Sequence, residues 1–152
     1  MKISILFGTE SGNAEMLCDD LKDELDAEHN VEIASFADVT PDDLDVDTYH
    51  ILVTSTHGNG DLPAAAAEFV DAVEEQEPNL AGVTFSVFGL GDMVFEETFN
   101  QGSETLMNAI LARNATLIGE RGMHDASTGE MPEDIAIPWL QECLSKLLDE
   151  AA

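Results

Sequence analysis

Ile3-Ser4-Ile5-Leu6-Phe7 ends on Gly8 and runs straight into Thr9-Glu10-Ser11-Gly12-Asn13-Ala14. A short, mostly apolar run closed by a glycine reads as a buried strand. Beyond it, Ala14, Leu17, Cys18, Leu21 and Leu25 recur at three- and four-residue steps, which predicts a helix with one apolar stripe. The same alternation continues outward. Val31 to Phe36, Tyr49 to Val53, Val83 to Phe88 and Thr116 to Ile118 read as four more strands. Between and after them, Phe69, Val70 and Val73, then Leu106, Met107, Ile110 and Leu111, then Leu140, Cys143, Leu144, Leu147 and Leu148 read as helix stripes. Strands alternating with helices of this length predict a parallel sheet covered by helices on both faces. Only Asp38 to Asp47 breaks the rhythm, and Pro41-Asp42-Asp43-Leu44 there predicts a short helical turn.

At 152 residues the chain fits one domain, 1–152, able to bury a core without disulfides or a structural metal. No apolar stretch approaches the roughly 18 residues of a membrane span. Lys2 followed by Ile3 to Phe7 is too short for a signal-peptide core, so the expected location is the cytoplasm. Cys18 and Cys143 lack a second Cys or a His at metal-ligand spacing and are expected to be reduced, buried thiols. The charge is extreme, with 32 acidic against 5 basic residues and a net −27. Nucleic acid and anionic membranes carry the same sign and are disfavoured as partners, whereas a basic protein surface is complementary. Adaptation to a salty cytoplasm would give the same composition.

In a doubly wound sheet, ligands bind beyond the carboxyl ends of the strands where strand order reverses. The loops after the first, third and fourth strands are therefore the candidates. In the first, a helix start offers unpaired N–H groups, and Thr9, Ser11 and Asn13 add side-chain donors, a set suited to a phosphate. Neither a Walker loop nor a G-x-G-x-x-G fingerprint is present. Taken alone, the loop is equally consistent with ordinary helix capping by Ser11 or Thr9. The second is Ser55-Thr56-His57-Gly58-Asn59-Gly60-Asp61-Leu62-Pro63, and the third is Gly89-Leu90-Gly91-Asp92-Met93-Val94-Phe95-Glu96-Glu97-Thr98-Phe99-Asn100.

Thr9-Glu10-Ser11-Gly12-Asn13-Ala14-Glu15 resembles the phosphate loop of the flavodoxin family, in the form found in the FMN domains of diflavin reductases. The second loop resembles the family's stretch beside the isoalloxazine ring, with His57 where many members carry an aromatic residue. The third resembles Gly-Leu-Gly-Asp/Asn followed by two spaced aromatics, with Phe95 on the tyrosine position and Phe99 on the next phenylalanine after one inserted residue. With Met131-Pro132-Glu133-Asp134 before a final helix, the whole is most similar to the small MioC-type flavodoxins. The resemblance implies a short-chain, flavodoxin-like three-layer α/β sandwich with a five-stranded parallel sheet in the order 2-1-3-4-5. It implies non-covalent FMN as cofactor. The phosphate would lie on Thr9, Glu10, Ser11, Gly12, Asn13 and Ala14, and the ring between Ser55, Thr56, His57, Gly58, Asn59 and Gly60 on one side and Gly89, Leu90, Gly91, Asp92, Phe95 and Phe99 on the other. At Gly58 it implies a peptide that turns over on reduction to accept the proton on flavin N5, which only a residue lacking Cβ allows cheaply. Trp139, in the final helix, is expected to pack rather than meet the flavin. Asp125 to Glu130 is expected to be a loop bordering the site.

The expected activity is a monomeric electron carrier shuttling single electrons between an NADPH-dependent flavodoxin reductase and basic-faced acceptor proteins. The alternative is an FMN-dependent NAD(P)H or quinone reductase, which would need a second nucleotide site that Lys2, Lys22, Arg113, Arg121 and Lys146 are few to serve. No Ser-His-Asp, paired-carboxylate or metal-ligand constellation argues for other chemistry. A receiver-type regulatory module shares the strand order, but it expects an acidic pair after the first strand and a lysine after the fifth, where Gly8-Thr9 and Gly119-Glu120 stand.

Overall fold

Six consecutive residues of the strand Tyr49–Ser55 are buried, the mark of a strand covered on both faces. In the computed structural model, which describes residues 2–8, 13–55, 62–91, 101–125 and 128–151, this strand is β3. The other elements, in chain order, are β1 (Lys2–Gly8), α1 (Asn13–Leu25), β2 (Asn30–Ser35), α2 (Ala64–Gln76), β4 (Thr84–Gly91), α3 (Gln101–Leu111), β5 (Thr116–Leu117), β6 (Gly122–Asp125) and α4 (Pro132–Ala151). The strands pair in parallel in the order β2-β1-β3-β4-β5, as expected, and β6 also pairs with β4.

The period-two alternation of β3 divides the core into two layers. Tyr49, Ile51 and Val53 join Leu17, Cys18 and Leu21 of α1 and Leu140 and Cys143 of α4. Leu52 faces the other way, with Phe69, Val70 and Val73 of α2 and Leu106 and Ile110 of α3. Both thiols are free and buried, and burial pushes both up from their usual pKa. The helical stripes fall as read, except that Leu111 and Leu148 end on the exposed side of their helices.

Between β2 and β3 the chain makes two 3-10 turns, Phe36–Asp38 and Pro41–Asp43. The second is the turn predicted at Pro41. Thr40 and Asp43 close it as a reciprocal capping box, with the Thr40 amide donating to Asp43 Oδ2 at 2.8 Å.

The fifth strand departs from expectation. The sequence predicts one strand over Thr116 to Ile118 and a loop over Asp125 to Glu130, but the strand position beside β4 is filled twice. Thr116 and Leu117 pair with Thr84 and Phe85, and Gly122 to Asp125 pair with Phe88 to Gly91. Between the two pairings β4 advances from Phe85 to Phe88 while the fifth strand advances from Leu117 to Gly122, so two extra residues bulge out. Gly119 takes a left-handed φ of +73° within the bulge, and a Cβ there would stand 2.8 Å from Cys143 Sγ. Three groups tie the bulge down. Ser86 Oγ donates to the Ile118 carbonyl at 2.7 Å and shares a short hydrogen bond with the Tyr49 hydroxyl, and Trp139 Nε1 donates to the Glu120 carbonyl at 2.8 Å. Trp139 also packs on Phe88, ring centroids 5.2 Å apart, in the packing role expected of it. Gly122 lacks a Cβ because Phe88 and Trp139 occupy that space. Asp125 is thus the end of a strand rather than the start of a loop, and α4 begins at Pro132, one residue into the Met131-Pro132-Glu133-Asp134 stretch read as preceding it.

Candidate cofactor site

Parallel pairing puts the carboxyl ends of β1, β3, β4 and β6 on one edge of the sheet. Gly8 lies level with Thr54, Thr54 with Gly89, Ser55 with Leu90, and Gly91 with Asp125. Neighbouring strands are about 4.8 Å apart, so the chain leaves this edge after β1, β3 and β4 within about 10 Å. These are the three loops singled out in the sequence.

Gly8 sets how closely α2 approaches that edge. A Cβ on Gly8 would stand 2.8 Å from Ala66 Cβ and 3.2 Å from Phe36 Cδ2. The run Ala64-Ala65-Ala66-Ala67 at the start of α2 supplies the small side chain that such contact needs. On the other face α1 opens at Asn13, five residues after Gly8, with Ala14 fully buried. The first N–H groups of α1 have no partner within the helix. At the end of β3, Thr54 is fully buried and its hydroxyl donates to the Ser55 carbonyl at 3.2 Å. Ser55 is half-buried, and Leu90 is buried in the core shared with α1 and α4.

Of the expected site residues, Asn13, Ala14, Ser55, Gly89, Leu90 and Gly91 fall among the described residues; Ser55, Gly89, Leu90 and Gly91 stand on this edge, and Asn13 and Ala14 open α1. Thr9, Glu10, Ser11, Gly12, Thr56, His57, Gly58, Asn59, Gly60, Asp92, Phe95 and Phe99 lie outside them. Beside Gly91, β6 brings up a fourth segment that sequence reading gave only as a loop. His124 is buried and its Nε2 lies 2.6 Å from the Glu130 carbonyl. The Thr128 hydroxyl donates to the Asp125 carbonyl at 2.9 Å and accepts from the Glu130 amide at 3.2 Å. A second residue missed in the sequence is Arg121, whose Nη1 donates to Ser103 Oγ at 3.0 Å and whose Nη2 lies 3.5 Å from Glu104 Oε2. An arginine in the bulge between β5 and β6 carries no periodic signal, so only the fold reveals it.

The donor set suits a phosphate held without cations. All five Lys and Arg lie among the described residues, and none is in residues 9–12, 56–61 or 92–100. Among the described residues no cluster of His, Cys, Asp and Glu could hold a metal ion, and no helix is long and apolar enough to cross a membrane.

The sequence profile of the family described as Flavodoxin matches residues 5–139. The chain belongs to the flavodoxin family. It is 28% identical over 138 residues to Protein MioC of Escherichia coli K12, an alignment covering 91% of this chain and 92% of that protein. It is 32% identical over 158 residues to NADPH-dependent diflavin oxidoreductase 1 of Aspergillus fumigatus, covering 96% of this chain but only 24% of the reductase. The chain thus spans about a quarter of the length of that reductase. A cysteine-to-serine mutant of flavodoxin from Pseudomonas aeruginosa superposes with a TM-score of 0.83 at 29% identity, covering 96% of this chain and 99% of the other. As a flavodoxin of the MioC kind, the chain is an FMN electron-transfer protein.

Proposed function

We propose that this flavodoxin is a cytoplasmic carrier of single electrons, taking them from a reductase and giving them to an acceptor protein with a basic face. The supporting observation is the shared edge of β1, β3 and β4, where the three polar loops leave within about 10 Å of one another. The phosphate of FMN lies against residues 9–14, held by the hydroxyls of Thr9 and Ser11, the Asn13 side chain and the opening N–H groups of α1. Residues 55–60 and 89–99, His57 and Phe95 among them, would hold the ring, and Phe95 would shield one face of it. Bound FMN supplies one-electron steps at a potential that the protein sets.

The chain's own contribution is binding, shielding and charge. Gly58 gives the inner loop the freedom to turn a peptide and present its carbonyl to the N5 proton. Asp61, Asp92, Glu96 and Glu97 disfavour added negative charge on the ring. At about 10 Å and an effective dielectric of about 20, one carboxylate opposes it by about 1.7 kcal/mol, on the order of 70 mV for one electron, before salt screening. The same carboxylates steer a basic partner to the exposed ring edge.

Purified protein is expected to be yellow and to take electrons in two resolved steps during anaerobic photoreduction followed by absorbance. NADPH alone is expected to leave the flavin oxidised until a reductase is added. Rapid bleaching by NADPH without a reductase would replace the carrier with a flavin-dependent reductase.

A further inference from the structure

Residues 40–47 carry the chain from the carboxyl end of β2 back to the amino end of β3, across the α2 side of the sheet. Pro41 and Leu44 are buried there, Leu44 in the layer with Leu52, Phe69 and Val73. Most hydrogen bonds of this strap are local. The Asp43, Leu44 and Asp45 amides donate to the carbonyls of Thr40, Pro41 and Asp43, the Thr40 amide to Asp43 Oδ2, and the Asp47 amide to Asp45 Oδ1. Among the described residues one bond ties the strap to the sheet, from His50 Nε2 to the Asp45 carbonyl at 3.0 Å.

His50, next to the start of β3, is only 1% exposed. A carbonyl only accepts, so Nε2 carries the hydrogen and the neutral ring leaves Nδ1 bare. Nδ1 is buried without a hydrogen-bond partner. A second proton would have to sit there, with no acceptor to meet it. Charged groups act on the ring from two elements, Asp45 in the strap and Lys2 on β1. Its neighbours on the flanking strands, Ser4 and Phe85, are uncharged, and α2 and α3 bring apolar side chains to this face. Burial opposes the imidazolium most, Asp45 favours it through its carbonyl and its carboxylate, and Lys2 opposes it, with the balance below the usual histidine value. The Thr48 hydroxyl beside Asp45 holds that carboxyl below the usual carboxylate range, so Asp45 stays charged wherever His50 titrates.

We infer that His50 is an acid-sensitive latch on the strap between β2 and β3: the neutral ring ties Asp45 to the sheet, and the imidazolium releases residues 43–47 while the sheet stays folded. Lifting the strap gives Nδ1 the water that the closed form denies it. The open form therefore takes up a proton that the closed form excludes. Opening becomes more favourable as pH falls below about 6.5, by at most tenfold per pH unit, and is independent of pH above it. The latch lies at the amino end of β3, opposite the edge formed by Thr54 and Ser55, and its action depends on no cofactor.

Amide hydrogen exchange of the full chain between pH 7.5 and 5.0, each rate divided by its intrinsic value, tests this. The amides of Asp43, Leu44, Asp45 and Asp47 should be at least tenfold less protected than those of Ile51 to Val53 at every pH, the mark of an opening short of global unfolding. Between pH 6.5 and 5.0 they should lose about a further tenfold. The ring nitrogens of His50, followed by NMR in the same samples, should titrate in step with that loss. In His50→Gln, which keeps a donor for the Asp45 carbonyl but takes no proton, protection of the four amides should be flat. Protection that is unchanged in wild type, that falls equally in His50→Gln, or that matches Ile51 to Val53 would overturn the latch. A ring that stays neutral while the four amides lose protection would overturn it from wild type alone.

Discussion

Moving one methyl group between β1 and α2 probes the contact that seats the first loop. In Gly8→Ala the new Cβ meets Ala66 Cβ at 2.8 Å and Phe36 Cδ2 at 3.2 Å, whereas carbon atoms rest at about 3.5–4.0 Å. The start of α2 must therefore retreat by about 1 Å. Overpacking of this kind costs about 1–3 kcal/mol, less about 0.5–1 kcal/mol gained by stiffening the unfolded chain, for a net loss of about 1–2 kcal/mol. Ala66→Gly alone costs about 1–2 kcal/mol, from helix propensity and one buried methyl. The double variant puts the methyl of residue 8 into the space vacated at residue 66. Its loss should fall short of the sum of the single losses by about 1 kcal/mol or more, the residue of strain being the Phe36 contact. Urea denaturation of all four proteins at a fixed m-value measures this coupling. Because residue 9 follows directly, Gly8→Ala should also weaken FMN by about tenfold. Losses that add to within about 0.3–0.5 kcal/mol would refute the close contact.

Three further outcomes follow from the same structure. Ser86→Ala removes both the partner of the buried Tyr49 hydroxyl and the donor to the Ile118 carbonyl, so it should cost about 1–3 kcal/mol in chemical denaturation. His50 is buried with Nε2 3.0 Å from the Asp45 carbonyl, and burial holds its pKa below the usual value, with Asp45 raising it and Lys2 lowering it more weakly. Its neutral form is the folded one, so its contribution is full above about pH 6.5 and is lost as pH falls from there toward the lower folded value. Wild type should lose stability relative to His50→Gln over that window, in denaturation curves taken every half pH unit. Net charge −27 opposes compaction, so added salt should raise the melting temperature steadily as the Debye length falls from about 10 Å at 0.1 M to about 3 Å at 1 M, and a flat profile would count against self-repulsion.

The interior strands were legible because burial on both faces leaves mostly apolar runs, as in Tyr49 to Val53, broken only by His50, and Val83 to Phe88, broken by Thr84 and Ser86. Helix stripes were legible through their three- and four-residue spacing, and the turn at Pro41 through the stretch Pro41-Asp42-Asp43-Leu44. The fifth strand was legible only in its lower part, Thr116 to Leu117. Its upper part, Gly122-Met123-His124-Asp125, holds its place by backbone pairing to Phe88–Gly91 and by the fit of Phe88 and Trp139 over Gly122, neither of which leaves an apolar pattern. At the site, the glycines and hydroxyls of the first and third loops were readable as chemistry. The contacts beside those loops in the chain, Gly8 against Ala66 and Arg121 against Ser103, join residues 58 and 18 positions apart, and nothing local announces them.

The central claim is that neutral donors at the β1–α1 junction, with no Lys or Arg in the loop, hold the phosphate of a flavin mononucleotide. Titrating the FMN-free chain with FMN and, separately, with riboflavin, which lacks only the phosphate, tests it through quenching of flavin fluorescence. One equivalent of FMN should be quenched, and riboflavin should bind at least a hundredfold more weakly, a gap of about 2.7 kcal/mol. Equal affinity for the two, or no quenching by either, would contradict it.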